Sequence, residues 1–154
     1  MRAICRSKRH ENIVRQLAET NHPTASRPIF PTMRELLCFA AVLGFEREKI
    51  RELDASTMEI DGRTFENHDQ SRDIIYLIAL AHSKDAEVLR EENDDRCISI
   101  FEQYAEGGLE EIASWLKERP EDPNGDVAIL DALRKRGYLG QGRNVDEAIH
   151  DVTF

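Results

Sequence analysis

The sequence predicts a mainly α protein: a single helical domain, residues 1–154, of about six helices with a small β-hairpin near residues 57–65. Three segments carry that expectation: Phe30–Gly44, Asp73–His82 and Ile98–Leu116. Each repeats apolar residues at the three- and four-residue intervals of one helical face. With 40% apolar and 33% charged residues, the chain can bury a core and is not of disordered composition. A length of 154 residues suits one domain.

The elements follow in order. Residues 1–8 are expected to be loosely held. Ile13, Val14, Leu17 and Ala18 stripe a short helix over 9–19. The prolines of Asn21–Pro28 interrupt it. Thr32 is placed to cap the next helix, and Glu35 completes a capping box. Leu36, Phe39, Ala40 and Leu43 then line one face, and Gly44 reads as the stop. A short helix is expected over Arg47–Leu53. Asp61-Gly62 favours a tight turn, which predicts a ribbon over 57–65. Asp73–His82 is apolar nearly all round, so it should be central, with Leu77 in the core. Asp85–Arg90 reads as a turn or short helix. The stripe Cys97, Ile98, Phe101, Tyr104, Ala105 should end at Gly107-Gly108, with Leu109, Ile112, Ala113, Leu116 forming another helix. Pro120 and Pro123 mark a loop. Val127, Leu130 and Leu133 form the last helix, closed by Gly137. Residues 140–154 are expected to be loosely held.

Charge is divided unevenly. Residues 1–51 carry ten Lys/Arg against five Asp/Glu, and the remainder eleven against twenty-five, giving +5 and −14 and the whole chain −9. A duplex-DNA binder relying on bulk charge would be basic throughout. Here Arg2, Arg6, Lys8, Arg9 and Arg15 form a basic cluster. Two readings stand: a solvated terminus, or an arm that contacts DNA phosphates. On the second, replacing Arg2, Arg6, Lys8 and Arg9 by alanine should spare the fold.

Motifs of catalysis are scarce. None of the lysines follows a glycine, as a phosphate-cradling loop requires, and no Gly-x-Ser-x-Gly elbow occurs. No lysine has an acid two residues before it, the spacing of many restriction-type nucleases. Gly137–Gly142 is glycine-rich but reads as helix termination. Cys5 with His10, or His22 with Cys38, could supply thiolate and imidazole ligands, yet no second close pair completes a zinc set. Cys38 and Cys97 sit among apolar residues and read as reduced core thiols, consistent with cytoplasm. No metal, cofactor or catalytic residue is assigned. His68, Asp69 and Asp73 could gather an imidazole and two carboxylates for metal-dependent hydrolysis. The competing reading is that Asn67 or Asp69 caps a helix. His82 reads as capping the end of its helix, Trp115 as packing or as a partner-binding anchor. The start of the chain lacks the apolar stretch of a secretory signal, and no apolar run is long enough to cross a bilayer.

The order of Phe30–Phe45, Ile60–Phe65, Asp73–His82 and Ile100-Phe-Glu-Gln-Tyr-Ala-Glu-Gly-Gly-Leu-Glu-Glu-Ile112 resembles the DNA phosphorothioation-associated protein 4 family, also called Dnd system-associated protein 4. The block Phe101–Leu109 is its most specific part. The resemblance implies association with systems that place sulfur in the DNA backbone and restrict unmarked DNA. It brings no catalytic motif. The expected function is therefore a non-enzymatic accessory role in restriction and antiviral defence, through protein partners and DNA. Two alternatives accompany it: a transcriptional regulator with a helix-turn-helix-like segment at 32–65, and a metal-dependent nuclease or hydrolase at His68, Asp69 and Asp73.

Overall fold

A computed structural model describes residues 1–139. The elements are β1 (Ile4–Ser7), α1 (Glu11–Ala18), α2 (Met33–Glu46), β2 (Thr57–Ile60), α3 (Gly62–Glu66), α4 (Asp69–Ser83), α5 (Asp94–Glu118) and α6 (Asp126–Lys135). The fold class is the expected one: mainly α, with six helices and one small antiparallel sheet among the described residues.

The sheet is paired differently from the expected local ribbon. β2 pairs with β1, Ile4 opposite Ile60 and Ser7 opposite Thr57. Asp61 does not make a hairpin turn. Its carboxylate accepts the Arg63 backbone N–H at 3.0 Å and caps α3. A local Asp–Gly signal serves a cap as readily as a turn, and a distant strand decided between them. The N-terminal segment expected to be loose is that strand.

Chain contacts divide the molecule into two compact units, Met1–Ser114 and the chain from Trp115 onward. The core of the first includes Ile4, Leu17, Leu36, Leu37, Phe65, Ile75, Ile98, Phe101, Leu109 and Ile112. Phe65 and Phe101 meet edge to face, ring centroids 5.8 Å apart. Thr32 caps α2 as expected, its hydroxyl oxygen accepting the Glu35 N–H at 3.2 Å. In the second unit the Arg136 guanidinium lies 5.1 Å over the Trp115 ring. The Asp122 carboxylate accepts the Ala128 N–H at 3.0 Å near the start of α6. Gly137 ends that stretch at φ +77°.

Two expected helix stops lie inside helices. α2 continues past Gly44, and α5 runs unbroken through Gly107-Gly108. The reason is close approach. A methyl group on Gly44 would lie 2.0 Å from the Tyr104 carbonyl oxygen, and one on Gly108 would lie 1.7 Å from that of Ala40. These glycines let the α2 and α5 backbones pack at near contact.

The helix expected over 47–53 does not form. Glu48 takes a left-handed φ of 53°, the Lys49 N–H returns to the Gly44 carbonyl, and the Arg51 N–H donates to the Gln103 carbonyl on α5. No helix stands between α2 and β2, so the second helix of the helix-turn-helix expected within 32–65 is absent at 47–53.

Candidate protein-docking face

Arg2 and Arg9 of the basic N-terminal cluster fold back onto the acids of α5. Glu102, Glu106 and Glu110 recur every four residues, so they share one helix face. Arg2 donates to both oxygens of Glu102, at 2.7 and 3.1 Å, and the Cys5 backbone N–H donates to the same carboxylate at 2.7 Å. Arg9 lies 2.6 Å from Glu106, and His10 Nε2 lies 3.1 Å from the same oxygen. Lys49 reaches Glu111 at 2.9 Å and Arg51 reaches Glu110 at 3.2 Å. Arg6 is only 3% exposed and pairs with Glu11 at 2.8 Å. Arg15 pairs with the same glutamate. Lys8 is exposed and has no ion pair among the described residues. The cluster is therefore not a free arm. Its arginines are held by carboxylates of this chain, which discounts the expectation that removing them spares the fold.

Glu106 is the most enclosed of these acids, at 1% exposure. Burial alone would push its carboxyl up. Hydrogen bonds from His10 and Ser7, with the His10 and Arg9 charges, overcome this and hold it below the ordinary range. Within the block Phe101–Leu109, Phe101 fills the core, Glu102 and Glu106 hold the N-terminal segment, and Gly108 admits α2.

A polar pocket of about 340 Å³ lies among Phe45, Glu46, Glu48, Ala81, His82, Lys84 and Tyr104. Here His82 is not a simple cap. Its Nδ1 lies 2.8 Å from the Tyr104 hydroxyl, while the helix end is closed by the left-handed Lys84, whose N–H donates to the Leu80 carbonyl. Burial, then the Glu48 charge, push the Tyr104 phenol up, so it stays a hydrogen-bonding neutral group. No sequence signal flagged this pocket, because its residues come from the C-terminal ends of α2 and α4 and from the middle of α5.

The other face of α4 is apolar and uncovered. Ser71, Ile75, Ile78 and Ala79 turn inward, whereas Leu77 is 62% exposed. This corrects the expectation that Leu77 is a core residue. Its helix is apolar on several faces, and packing selected the Ile75/Ile78 face. Leu77, Leu80, Tyr76, Asp73 and Leu89 line a groove of about 230 Å³. Leu89 is 44% exposed and sits on the 3-10 turn Ala86–Leu89, which packs on α4. The Tyr76 hydroxyl donates to Asp94 at 2.5 Å. Burial and that carboxylate push the Tyr76 phenol up to about 12. Asp73 lines the groove, and from Asp85 to Asp95, the segment that carries Leu89, six acids stand against one arginine.

The remaining expected site residues are scattered or otherwise engaged. His68 Nδ1 lies 2.7 Å from the Thr64 carbonyl; Asp69 and Asp73 both face Arg72, at 2.9 and 3.9 Å. Neither Asn67 nor Asp69 caps α4; the N-cap position is His68, without a side-chain cap bond. Among the described residues no three His, Cys, Asp or Glu side chains cluster as metal ligands, and no helix is long and apolar enough to cross a membrane. Trp115 is 1% exposed, which corrects its reading as a surface anchor: the ring is consumed by packing. The glycine-rich stretch from residue 140, and the tail to 154, lie outside the described residues.

The family model described as DNA sulphur modification system-associated protein 4 matches residues 3–146. No curated protein and no solved structure matches the chain. The match covers nearly the whole length and includes every segment that carried the resemblance, so the chain belongs to the DNA sulphur modification system-associated protein 4 family.

Proposed function

We propose that this protein is a non-enzymatic accessory component of a DNA sulphur-modification-linked restriction and defence system, working in the cytoplasm by binding partner proteins. Family membership supplies the system. One observation carries the mode of action. Arg2, Arg6 and Arg9 are engaged by Glu102, Glu11 and Glu106 within the fold, while the acids around α4 and the start of α5 stay on the surface beside exposed leucines. Such a surface favours a protein over a polyanion.

The test is co-purification of the tagged full chain from cells that carry the whole system. Recovery of a stoichiometric component of the system, without dependence on DNA, is the expected result. Recovery of the protein alone would overturn the reading.

A DNA-contacting N-terminus is the second reading, favoured by the exposed Lys8 and the half-exposed Arg9 and Arg15. It predicts binding whose log–log salt slope drops by roughly one for each phosphate contact removed. Lys8→Ala with Arg15→Ala tests it without breaking the pairs to α5. An unchanged slope is expected here, and a flattened one would favour DNA.

A further inference from the structure

We propose that the groove formed by Tyr76, Leu77, Leu80 and Leu89 holds a basic amphipathic helix of a partner protein. The inference rests on the partner-binding reading above and adds the place and the chemistry of the partner.

The groove has three properties that select this occupant. Asp73, Leu77 and Leu80 stand at i, i+4 and i+7 on α4, so they form a ridge along one helix face. A helix packs on such a ridge by seating its own side chains between successive turns. The space, about 230 Å³, is below the roughly 300–1,000 Å³ of small-molecule and cofactor sites, and suits protruding side chains better than a whole ligand. Its surroundings are acidic on balance: Asp73 lines it, Asp94 holds Tyr76 in its wall, and residues 85–95, which carry Leu89, hold six acids against Arg90, itself paired with Glu87, while Arg72 offsets part of the Asp73 charge.

That charge decides between occupants. A second copy of this chain meeting itself here would set acid against acid, and like charges across an interface disfavour association. Nucleic acid would meet the same repulsion, with apolar leucines facing its phosphates. A helix with leucine-like residues at three- and four-residue intervals and Lys or Arg on its flanks matches both the leucines and the acids. Salt should weaken the complex, because these charges are exposed and screened.

The experiment places a photo-crosslinking benzoyl-phenylalanine at position 77 of the full chain, in cells carrying the whole system. The exposed Leu77 tolerates the change. The cross-linked peptide should come from another protein, with apolar residues at helical spacing beside Lys/Arg. Adding Asp73→Lys and Glu87→Lys should cut the cross-link yield several-fold, as expected from two surface charge pairs of about 0.2–1 kcal/mol each. A matching melting curve would show that the charge-reversed chain is folded. Cross-linking to a second copy, to a segment without basic residues, or to nothing would overturn the inference, as would a yield indifferent to charge reversal. If a system component still co-purifies in those cases, only the groove assignment fails. If co-purification fails as well, the partner-binding reading falls with it.

Discussion

Arg2 and Glu102 lie a hundred residues apart in the chain and face one another through two hydrogen bonds, of 2.7 and 3.1 Å. With the Cys5 N–H on the same carboxylate, the pair fastens β1 to α5. Removing Glu102 takes from the Arg2 guanidinium its nearest carboxylate, leaving it the Ser99 hydroxyl, the Ala3 carbonyl and the more distant Asp95, and leaves the Cys5 N–H without its acceptor. Glu102→Ala should therefore cost about 1.5–3 kcal/mol. Chemical denaturation of wild type, Glu102→Ala, Arg2→Ala and the double variant forms a cycle. A coupling near zero would show that the contact is not formed in solution. The alanine set Arg2, Arg6, Lys8 and Arg9 should destabilise the fold rather than spare it.

The crossing of α2 and α5 gives a second test. In an ordinary helix interior, Gly→Ala stabilises by about 1 kcal/mol through propensity. At Gly108 the new methyl would meet the Ala40 carbonyl at 1.7 Å. Backbone cannot yield cheaply, so overpacking at about 1–3 kcal/mol or more should win and Gly108→Ala should lower Tm. Gly44→Ala should behave alike, against the Tyr104 carbonyl. A rise in Tm for either would place the helices farther apart than described.

Acid should loosen the molecule partly through Glu106. Its folded carboxyl is held below the ordinary range despite burial, by His10, Ser7 and Arg9. A lowered folded pKa contributes stability that is full above the unfolded glutamate range and is lost as pH falls through the folded value. Unfolding free energy should thus decline below about pH 4.5, the ordinary glutamate range. Glu106→Gln should be less stable at neutral pH and show a shallower acid decline. An identical acid slope in both proteins would assign the effect to other carboxylates.

Leu77 and Phe101 should separate sharply. Phe101 is fully buried, and Phe101→Ala should cost about 3–5 kcal/mol. Leu77 projects into solvent, and Leu77→Ala should change stability by no more than about 0.5 kcal/mol. Thermal melts of the two variants measure this directly. A large loss at Leu77 would mean that its face is covered in the free protein.

Much was legible in the chain. The helical class, the Thr32 cap with Glu35, the 21–28 loop and the burial of Phe101 follow from spacing, capping chemistry and proline, which act over one or two turns. The family too was legible, from the order of its blocks and above all from Phe101–Leu109.

Tertiary structure decided what local chemistry left open. Gly44 and Gly107-Gly108 look like stops because glycine weakens an isolated helix; only the close approach of a partner backbone makes it a packing residue. Asp61-Gly62 is equally a turn or a cap until β1 arrives to pair with β2. Leu77 and Ile75 belong to one apolar helix, and only the position of the core chose which faces solvent. Arg2 and Arg9 read as part of a free basic arm because their partners on α5, Glu102 and Glu106, are about a hundred residues distant. Sequence spacing encodes the faces of each element. Which faces meet, and which charges are thereby neutralised, is set by long-range contacts that no local pattern contains.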